Sequence, residues 1–507
     1  MLASGARAAG APLIRVALIA LLLLPLALVS AFAGVGPLDD CARREAPLPP
    51  CNVWASRPPT GPANEVHIAV NPLDPRHLLA VAKDYSLGAN GDCRPGGAWH
   101  VGSASYVTFD GGLTWSVARV PAPYPNGGAE PSPLAWKCGS DPVAMFGPDG
   151  TAYYLVLNFQ YAGARQASIA VARSPDGGLT WPASDIRVVH TSGGDDKEWG
   201  AVGNDGTVHV VWTDVNNGRI YYARSLPGWT FETPRVLATA GFGNPAVTVD
   251  TGPSGEVYVV WRDGGSIKFV RSADFGASFG SVRVAFTTSP YEQSVAPRLP
   301  FMPQLAVDDS PASPFAGSVY VVWPRATGVG DADAYLAYSR DGGATWSAHV
   351  RVSDDASARR QVMPTVGVAP NGRVDVAWLD QRLSPTLDFW TAFLAQSTDG
   401  GASFLPNRQA QEVPLFEEWS YHQDGSIFIG DYIGVASTDA HAYPIFPGNG
   451  PERAGALAPL QMRRADAYVA VLDSRALQVA PAPGAQAAAY PSVEVPDDAL
   501  PAIGGPH

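Results

Sequence analysis

Arginine and carboxylate side chains recur at the ends of short apolar segments in this sequence. The polar or aromatic residues that follow such segments include Lys83, Asp84, Tyr85, Asn158, Phe159, Gln160, Asp214, Arg262, Asp263, Arg325, Asp380 and Arg382. Those that precede them include Asp195, Asp196, Lys197, Glu198, Arg298, Arg359, Arg360, Asp431 and Tyr432. A guanidinium pairs with planar anions and a carboxylate accepts hydroxyl protons, so a ring of such groups suits a sugar or a carboxylate ligand. Any single one of them is more often a rim ion pair or a turn cap.

A motif that occurs five times indicates the elements that position these side chains. Each copy has Ser or Thr, an Asp two residues later, one or two glycines, and a closing Trp or Phe. The copies occupy residues 108–115, 174–181, 272–279, 339–346 and 397–404, and a degenerate copy without Asp occupies residues 224–231. Units of about 45 to 65 residues match one four-stranded blade of a β-propeller. The sequence therefore predicts an all-β propeller.

The chemistry of the motif is that of a hairpin turn between two apolar strands. Its glycines adopt positive φ, and its Asp can accept hydrogen bonds from amides of the turn. The closing aromatic residue can wedge between neighbouring blades and bury a large apolar area. We therefore expect a structural role for the motif aspartates, which are Asp110, Asp176, Asp274, Asp341 and Asp399.

The number of blades follows from the strand pattern. Six units contain the motif or its degenerate copy, and three further apolar segments lie within residues 428–472. A fourth strand for this last unit could come from residues 52–55 at the other end of the chain, which would close the ring and remove an open edge. We predict seven blades, with six blades and an extra hairpin as the alternative.

The domain boundaries follow from composition. Residues 1–33 are expected to be a signal peptide, because Arg7 and Arg15 precede an apolar run that ends near small residues. Retention of that run as a membrane anchor is the alternative. Residues 34–50 form a linker, residues 51–475 the propeller, and residues 476–507 an Ala/Pro-rich tail that is expected to be disordered.

Charge and cysteine content limit the partners of the protein. A net charge of -13 argues against nucleic acid and anionic membranes. An even number of cysteines in an exported chain suggests two disulfides, and the simplest of three connectivities pairs Cys41 with Cys51 and Cys93 with Cys138. We expect a secreted or cell-surface monomer without cofactor that contacts a membrane only through an uncleaved N-terminal segment. Structural calcium could bind near Asp195 and Asp196 or near Asp354 and Asp355.

The repeated motif resembles the Asp-box, or BNR repeat, of sialidases and related β-propellers. In sialidases three arginines grip the substrate carboxylate, a tyrosine activated by a glutamate attacks, and an aspartate is the acid/base. The resemblance implies Arg298, Arg325 and Arg382 as substrate-binding arginines with Asp380 beside them. It implies Tyr432 as nucleophile, Glu198 as its activator and Asp84 as acid/base. The first strand of the first unit, residues 64–69, lacks the Arg-Ile-Pro motif of that family.

Three functions remain open at this point. The first is a sialidase-like exo-glycosidase that acts on extracellular glycans, sialylated ones among them. The second is a propeller that binds a glycan or protein at the cell surface without catalysis, since Asp-boxes also occur in such propellers. The third is an envelope scaffold whose edge loops dock other proteins.

Overall fold

The computed structural model describes residues 52–56, 62–85, 101–119, 136, 138–162, 164–241, 245–412, 414–423, 426–449, 465–475, 477, 490–491 and 493–494. These residues form seven antiparallel sheets of the kind expected for propeller blades, numbered here in chain order. The prediction of seven blades is confirmed. None of the described helices is long and apolar enough to cross a membrane.

Each blade has four main strands. The innermost strands of blades 1 to 7 are Ala63–Asn71, Cys138–Phe146, Asp195–Val202, Val247–Thr251, Gln304–Val307, Gln361–Val368 and Gly434–Ser437. The second strands are Asp74–Asp84, Ala152–Ala162, Val208–Asp214, Val257–Asp263, Val319–Gly328, Val374–Asp380 and His441–Gly448. The third strands are Gly102–Thr108, Ala164–Ser174, Arg219–Leu226, Ser266–Ser272, Asp331–Ser339, Phe389–Ser397 and Asp466–Ala470. The outer strands are Ser116–Arg119, Ile186–Ser192, Arg235–Thr239, Arg283–Thr287, Val350–Arg351, Arg408–Gln409 and Asn52–Trp54.

The remaining elements are short. They are two 3-10 helices, Ala183–Asp185 and Glu417–Trp419, and the strands Thr230–Phe231, Thr345–Trp346, Leu415–Phe416, Tyr421–Gln423, Ser426–Phe428, Leu472–Asp473, Tyr490–Pro491 and Val493–Glu494. The last two pair with Thr345–Trp346 of blade 5 and with the outer strand of blade 4. Apart from these four residues and Leu477, the tail of residues 476–507 lies outside the described residues, and its disorder stays a prediction.

Blade 7 is built from both ends of the chain. Asn52, Val53 and Trp54 pair with Ala470, Val469 and Tyr468 in an antiparallel ladder. The innermost strand of each blade contacts that of the next, and that of blade 7 contacts that of blade 1. This confirms the predicted closure, which leaves no innermost strand unpartnered in the ring.

The Asp-box hairpins connect the third and outer strands of their blades. In the box of blade 5, Asp341 Oδ1 accepts bonds from Ser339 Oγ at 2.7 Å and from the Thr345 amide at 2.9 Å, while Oδ2 accepts from Thr345 Oγ1 at 2.6 Å. The same three bonds recur at the aspartates of the other four boxes, Asp110, Asp176, Asp274 and Asp399. Hydrogen bonds from Ser278 and Ser272 lower the pKa of Asp274 to about 2, as expected for a carboxylate with several donors.

The closing aromatic residues pack between blades. Trp346 is fully buried and makes edge contacts with Phe269 and Phe286 of blade 4, at centroid distances of 5.7 and 5.6 Å. Gly343 of the same box has φ +89°, and a Cβ there would lie 2.5 Å from the Phe269 ring. Glycine is thus required both for the turn and for the close approach of the next blade. In the degenerate box, Trp229 makes the equivalent contact and donates to the Asp185 carbonyl.

Strand direction separates the boxes from the starts of the innermost strands. Successive strands within a blade are antiparallel, so the first and third strands run the same way. The boxes follow the third strands and therefore lie at the end of the ring opposite to the starts of the innermost strands. We call the end at which the innermost strands start the channel mouth.

Candidate functional site

Irregular innermost strands place charged residues at the channel mouth. In blades 1, 2, 3 and 6 the pairing with the second strand shifts register near the start of the innermost strand. Within these β-bulges Glu65, Asp141, Lys197 and Met363 have φ of 49°, 50°, 53° and 52°. Residues other than glycine rarely adopt such φ, and bulges of this kind re-aim a side chain. In blade 7 Asp431 follows Gly430, whose φ is 99°.

The side chains of Glu65, Asp141, Lys197 and Asp431, here called the mouth cluster, come from four blades and meet. Lys197 Nζ lies 3.0 Å from Asp141 Oδ2 and 2.8 Å from Asp431 Oδ2. Carboxylate oxygens of Glu65, Asp141 and Asp431 all lie within 4.8 Å of one another. Lys83 Nζ lies 3.1 Å from Glu65 Oε2. The contacts join residues far apart in sequence, so only closure of the ring assembles them.

The carboxyl groups of the mouth cluster have different protonation states. Burial and the neighbouring Asp141 raise the pKa of Glu65 from 4.5 to about 8, although Lys83 opposes the shift. Burial also acts to raise the pKa of Asp141, but Lys197 and Lys83 outweigh it and hold that pKa below its usual range. Burial is likewise outweighed at Asp431, where Lys197 and Arg298 lower the pKa. A protonated carboxyl thus stands beside two ionised ones, as in sites of acid–base catalysis.

A cleft of about 280 Å³ opens beside the mouth cluster. Its charged lining consists of Lys197, Arg262, Glu292, Arg298 and Asp431, and its apolar lining consists of Pro245, Ala246, Leu299, Pro300, Phe301 and Met302. Gln293 and Ser294 complete the wall. A largely apolar hollow with a few charged groups is typical of small-ligand sites.

The three arginines expected to grip a carboxylate have separate partners. Arg298 donates to Asp431 through Nε at 3.1 Å and through Nη2 at 2.6 Å to both oxygens. Arg382 donates to Asp380 at 2.8 Å and to Asp354 at 2.6 Å. Arg325 stacks on the Tyr335 ring, with 4.8 Å to its centroid. Of the three, Arg298 lines the cleft.

The expected catalytic residues are buried around the mouth cluster. Tyr432 is 4% exposed and donates its hydroxyl proton to the Pro142 carbonyl at 3.0 Å. Burial, reinforced by Asp141, raises the pKa of Tyr432 well above its usual value, which opposes its ionisation to a nucleophile. Glu198 is 2% exposed, and neither carboxylate oxygen has a hydrogen-bond partner among the described residues. Asp84 is fully buried at the end of the second strand of blade 1.

The residues expected to bind calcium have protein partners. Asp195 accepts from His190 Nδ1 at 2.9 Å, and Asp354 pairs with Arg382. The three carboxyl groups of the mouth cluster are close enough to share a metal ion, but Lys197 Nζ already bonds to two of them. Its ammonium charge occupies the place where a cation would be favourable. Structural calcium stays a prediction.

The predicted disulfides fall largely outside the described residues. Cys41, Cys51 and Cys93 lie outside them, whereas Cys138 is buried at the start of the innermost strand of blade 2. The pairing of the four cysteines stays a prediction, as do the signal peptide and its cleavage.

The sequence predicts no site role for Glu65 or Asp141, and it indicates Lys197 only as one of the polar residues that precede apolar segments. Their signal is positional: each stands two residues before a residue that pairs again with the second strand after the bulge. Superposing the first strands of the seven units would have shown a charged residue at one register in blades 1 to 3. A polar residue at one register of several blades indicates a site on the axis of the ring.

Comparison with known proteins supports the repeat. The BNR/Asp-box repeat family matches residues 337–348, which contain the box of Asp341. The fold resembles that of a protein of unknown function from Dyadobacter fermentans, with a TM-score of 0.45 and 14% identity over 83% of this chain and 97% of that one. No curated protein matches the sequence significantly.

Two sialidases are similar at lower coverage. A Hadza microbial sialidase has a TM-score of 0.43 and 13% identity over 67% of this chain and 69% of that one. A leech intramolecular trans-sialidase, complexed with 2,7-anhydro-Neu5Ac, has a TM-score of 0.42 and 11% identity over 63% of this chain and 65% of that one.

The repeat match and the hairpin geometry define the class. The chain is a β-propeller with Asp-box hairpins between the third and outer strands of five of its blades. The repeat that the sequence predicted, the BNR/Asp-box, is the one that the family model matches, at residues 337–348.

Proposed function

We propose that this protein is an exported propeller that binds an extracellular glycan in the cleft and hydrolyses a glycosidic bond there. The observation that carries the proposal is the position of Asp431, which lines the cleft and belongs to the mouth cluster. A ligand in the cleft would therefore lie against the ionised Asp431, which has an oxygen within 4.8 Å of an oxygen of the protonated Glu65. Glycosidases use such a pair, one carboxyl as proton donor and the other as a charge that stabilises the transition state.

The roles follow from the protonation states. Glu65 would donate its proton to the glycosidic oxygen as the bond to the anomeric carbon breaks. Asp431 would stabilise the positive charge that develops on the sugar ring. A water molecule would then add its hydroxyl to the anomeric carbon and return a proton to Glu65. One oxygen of each of these carboxyl groups lies within 4.8 Å of the other, so both can act on a single ligand.

The test is hydrolysis of a panel of neutral and acidic oligosaccharides by the purified protein between pH 4 and 8. Glu65→Gln should lower the rate by roughly 100-fold or more, because general acid catalysis contributes 10²- to 10⁴-fold, and should keep glycan binding. The control is Glu232→Gln, the same change in a side chain paired with Arg224 and Arg235 at the outer side of blade 3. Failure of the wild-type protein to release sugar from any glycan would remove the catalytic part of the proposal.

Binding without catalysis is the second candidate. It is favoured by the burial of Tyr432 and Glu198 and by the bond of the tyrosine hydroxyl to the Pro142 carbonyl. If it holds, glycan affinity survives Tyr432→Phe and Glu198→Gln, and no product forms in any of the assays above. Hydrolysis that is lost in Glu65→Gln would exclude it.

A further inference from the structure

Three cations and two carboxylates line the cleft, and each of the cations is already paired with a carboxylate. Arg262 donates to Glu292 through Nη1 at 2.6 Å and through Nη2 at 3.1 Å. Arg298 makes three bonds with Asp431. Lys197 bonds to Asp431 and to Asp141. Asp141 does not line the cleft, but with it the three cations are paired with three carboxylates, so the cations of the cleft and their partners together carry no net charge.

We propose that this cleft selects a neutral sugar residue over an acidic one, an inference that rests on the proposed glycan-binding function. An acidic sugar would enter a charge-balanced cleft, so its carboxylate would lose hydration without meeting an unpaired cation. The carboxylate of the sugar could pair with Arg298 only by displacing Asp431. Because Asp431 is 1% exposed, its carboxylate would then remain buried without the guanidinium. A neutral hydroxyl carries no such cost.

The same groups can bind hydroxyls without giving up their ion pairs. Arg298 uses Nε and Nη2 on Asp431, and no described residue accepts a bond from its Nη1. About half of the Arg298 side chain is exposed, so these donors are accessible from the cleft. A guanidinium has five N–H donors, and those left over can bind ligand hydroxyls. Charge-assisted bonds of this kind are among the stronger hydrogen bonds to a neutral ligand.

An apolar wall faces these polar groups. Leu299, Phe301 and Met302 are each at most 5% exposed and line the cleft together with Pro245 and Pro300. The C–H faces of a pyranose or furanose ring pack favourably on such a surface, while its hydroxyls reach the polar side. The cleft thus has both an apolar wall for the C–H face of a neutral sugar and a polar side for its hydroxyl groups.

The experiment measures affinity for matched oligosaccharides that differ only in their terminal residue, neutral or acidic, by titration calorimetry at low and at physiological salt. We expect the neutral member to bind at least tenfold more tightly, with affinity that changes little with salt, because no net charge is paired on binding. Tighter binding of the acidic member would overturn the inference and leave glycan binding intact. Binding of neither member at millimolar concentration would overturn the proposed function and the inference together.

A pair of substitutions tests the charge balance directly. Glu292→Gln releases Arg262 from its carboxylate, and the exposed position of the Glu292 side chain (55%) makes the change tolerable for folding. We expect affinity for the acidic oligosaccharide to rise roughly three- to tenfold, since a free guanidinium becomes available. The matched control is Asp354→Asn, which removes one of the two carboxylates paired with Arg382, a residue that does not line the cleft. Equal acidic affinity in wild type and Glu292→Gln would contradict the charge-balance argument.

Discussion

Glu65 and Asp141 are neighbours in opposite protonation states because their surroundings differ. Both are buried, but Asp141 bonds to Lys197, while Glu65 has one carboxylate oxygen without a partner among the described residues. Burial of a carboxyl disfavours its charge unless a cation compensates. Lys83 lies near both carboxyl groups, whereas Lys197 bonds to Asp141, and the position of Lys197 depends on the bulge in blade 3.

The raised pKa of Glu65 predicts a pH dependence of stability. Below pH 4.5 Glu65 is protonated in both the folded and the unfolded chain, so it contributes no difference. Between pH 4.5 and about 8 the unfolded chain releases this proton and the folded one keeps it, so the free energy of unfolding falls as pH rises. The fall in the free energy of unfolding should be on the order of a few kcal/mol. Glu65→Gln should abolish it.

The measurement is urea unfolding of wild type and Glu65→Gln at pH 5 and pH 8.5. The stability of the variant relative to wild type should be greater at the higher pH. A difference that does not change between the two pH values would show that Glu65 titrates normally in the folded protein.

Tyr432→Phe decides whether the tyrosine reacts. The hydroxyl bonds to the Pro142 carbonyl at 3.0 Å, so its removal should lower the free energy of unfolding by about 1 kcal/mol. We expect unchanged hydrolysis and unchanged ligand affinity, measured under the conditions used for wild type. A loss of activity of more than about a hundredfold with little loss of stability would instead identify Tyr432 as the nucleophile that the sialidase resemblance implies.

At the scale of elements, the Asp-box hairpin stabilises the fold without contacting the channel mouth. Asp341→Ala removes the acceptor of three hydrogen bonds and should lower the free energy of unfolding by about 1 to 3 kcal/mol, with no change in ligand affinity. The control is Asp149→Ala, whose carboxylate accepts a bond from the Thr151 amide in an ordinary turn and should cost less. Denaturant unfolding and calorimetry measure the two effects. A selective loss of affinity in Asp341→Ala would contradict the structural role.

The junction of blades 6 and 7 depends on a buried ion pair. Arg373 and Asp375 are both fully buried, and the guanidinium also donates to the carbonyls of Thr438 and Asp439 in blade 7. Arg373→Met leaves Asp375 buried without its cation and should lower the free energy of unfolding by about 3–5 kcal/mol. Arg475→Met, which breaks a pair with Asp473 at the surface, should cost about 1 kcal/mol or less. Thermal unfolding measures the loss of stability in both variants. Equal losses of stability in the two would show that burial of the ion pair is unimportant.

At the scale of the whole molecule, the strand Asn52–Trp54 closes the ring. It covers the edge of Asp466–Ala470, and Asn52 also bonds to the Ala410 carbonyl and the Glu412 amide of blade 6. A chain that begins after residue 56 should unfold at lower temperature and aggregate through the exposed edge, whereas one that begins at residue 51 should not. Thermal scans with light scattering compare the two. Added peptide of residues 51–56 should restore the shorter chain, and equal stability of both chains would contradict closure by this strand.

The sequence by itself was sufficient for the architecture. The Asp-box sequence is sufficient to predict its hairpin, because Ser or Thr, Asp and Gly at fixed spacing make local hydrogen bonds that need no distant partner. Valine-rich second strands that end in tryptophan predicted the blades, and residues 52–55 predicted the closure. The hairpins and strands depend on neighbours within a few residues or on strand pairing, and both produce a periodic pattern in the sequence.

Only the tertiary structure decided the site. Lys197 and Asp141 meet because bulges on different blades aim them at one axis, and Arg298 meets Asp431 between the segments that precede the innermost strands of blades 5 and 7. No local pattern encodes the angle between blades. In the folded protein Arg325 stacks on Tyr335 and Arg382 pairs with Asp380. The ring of Tyr432 packs against that of Trp199. Burial and charge pairing, which set the pKa values and balance the cleft, arise from contacts between residues that are far apart in the chain and come together only when the ring closes.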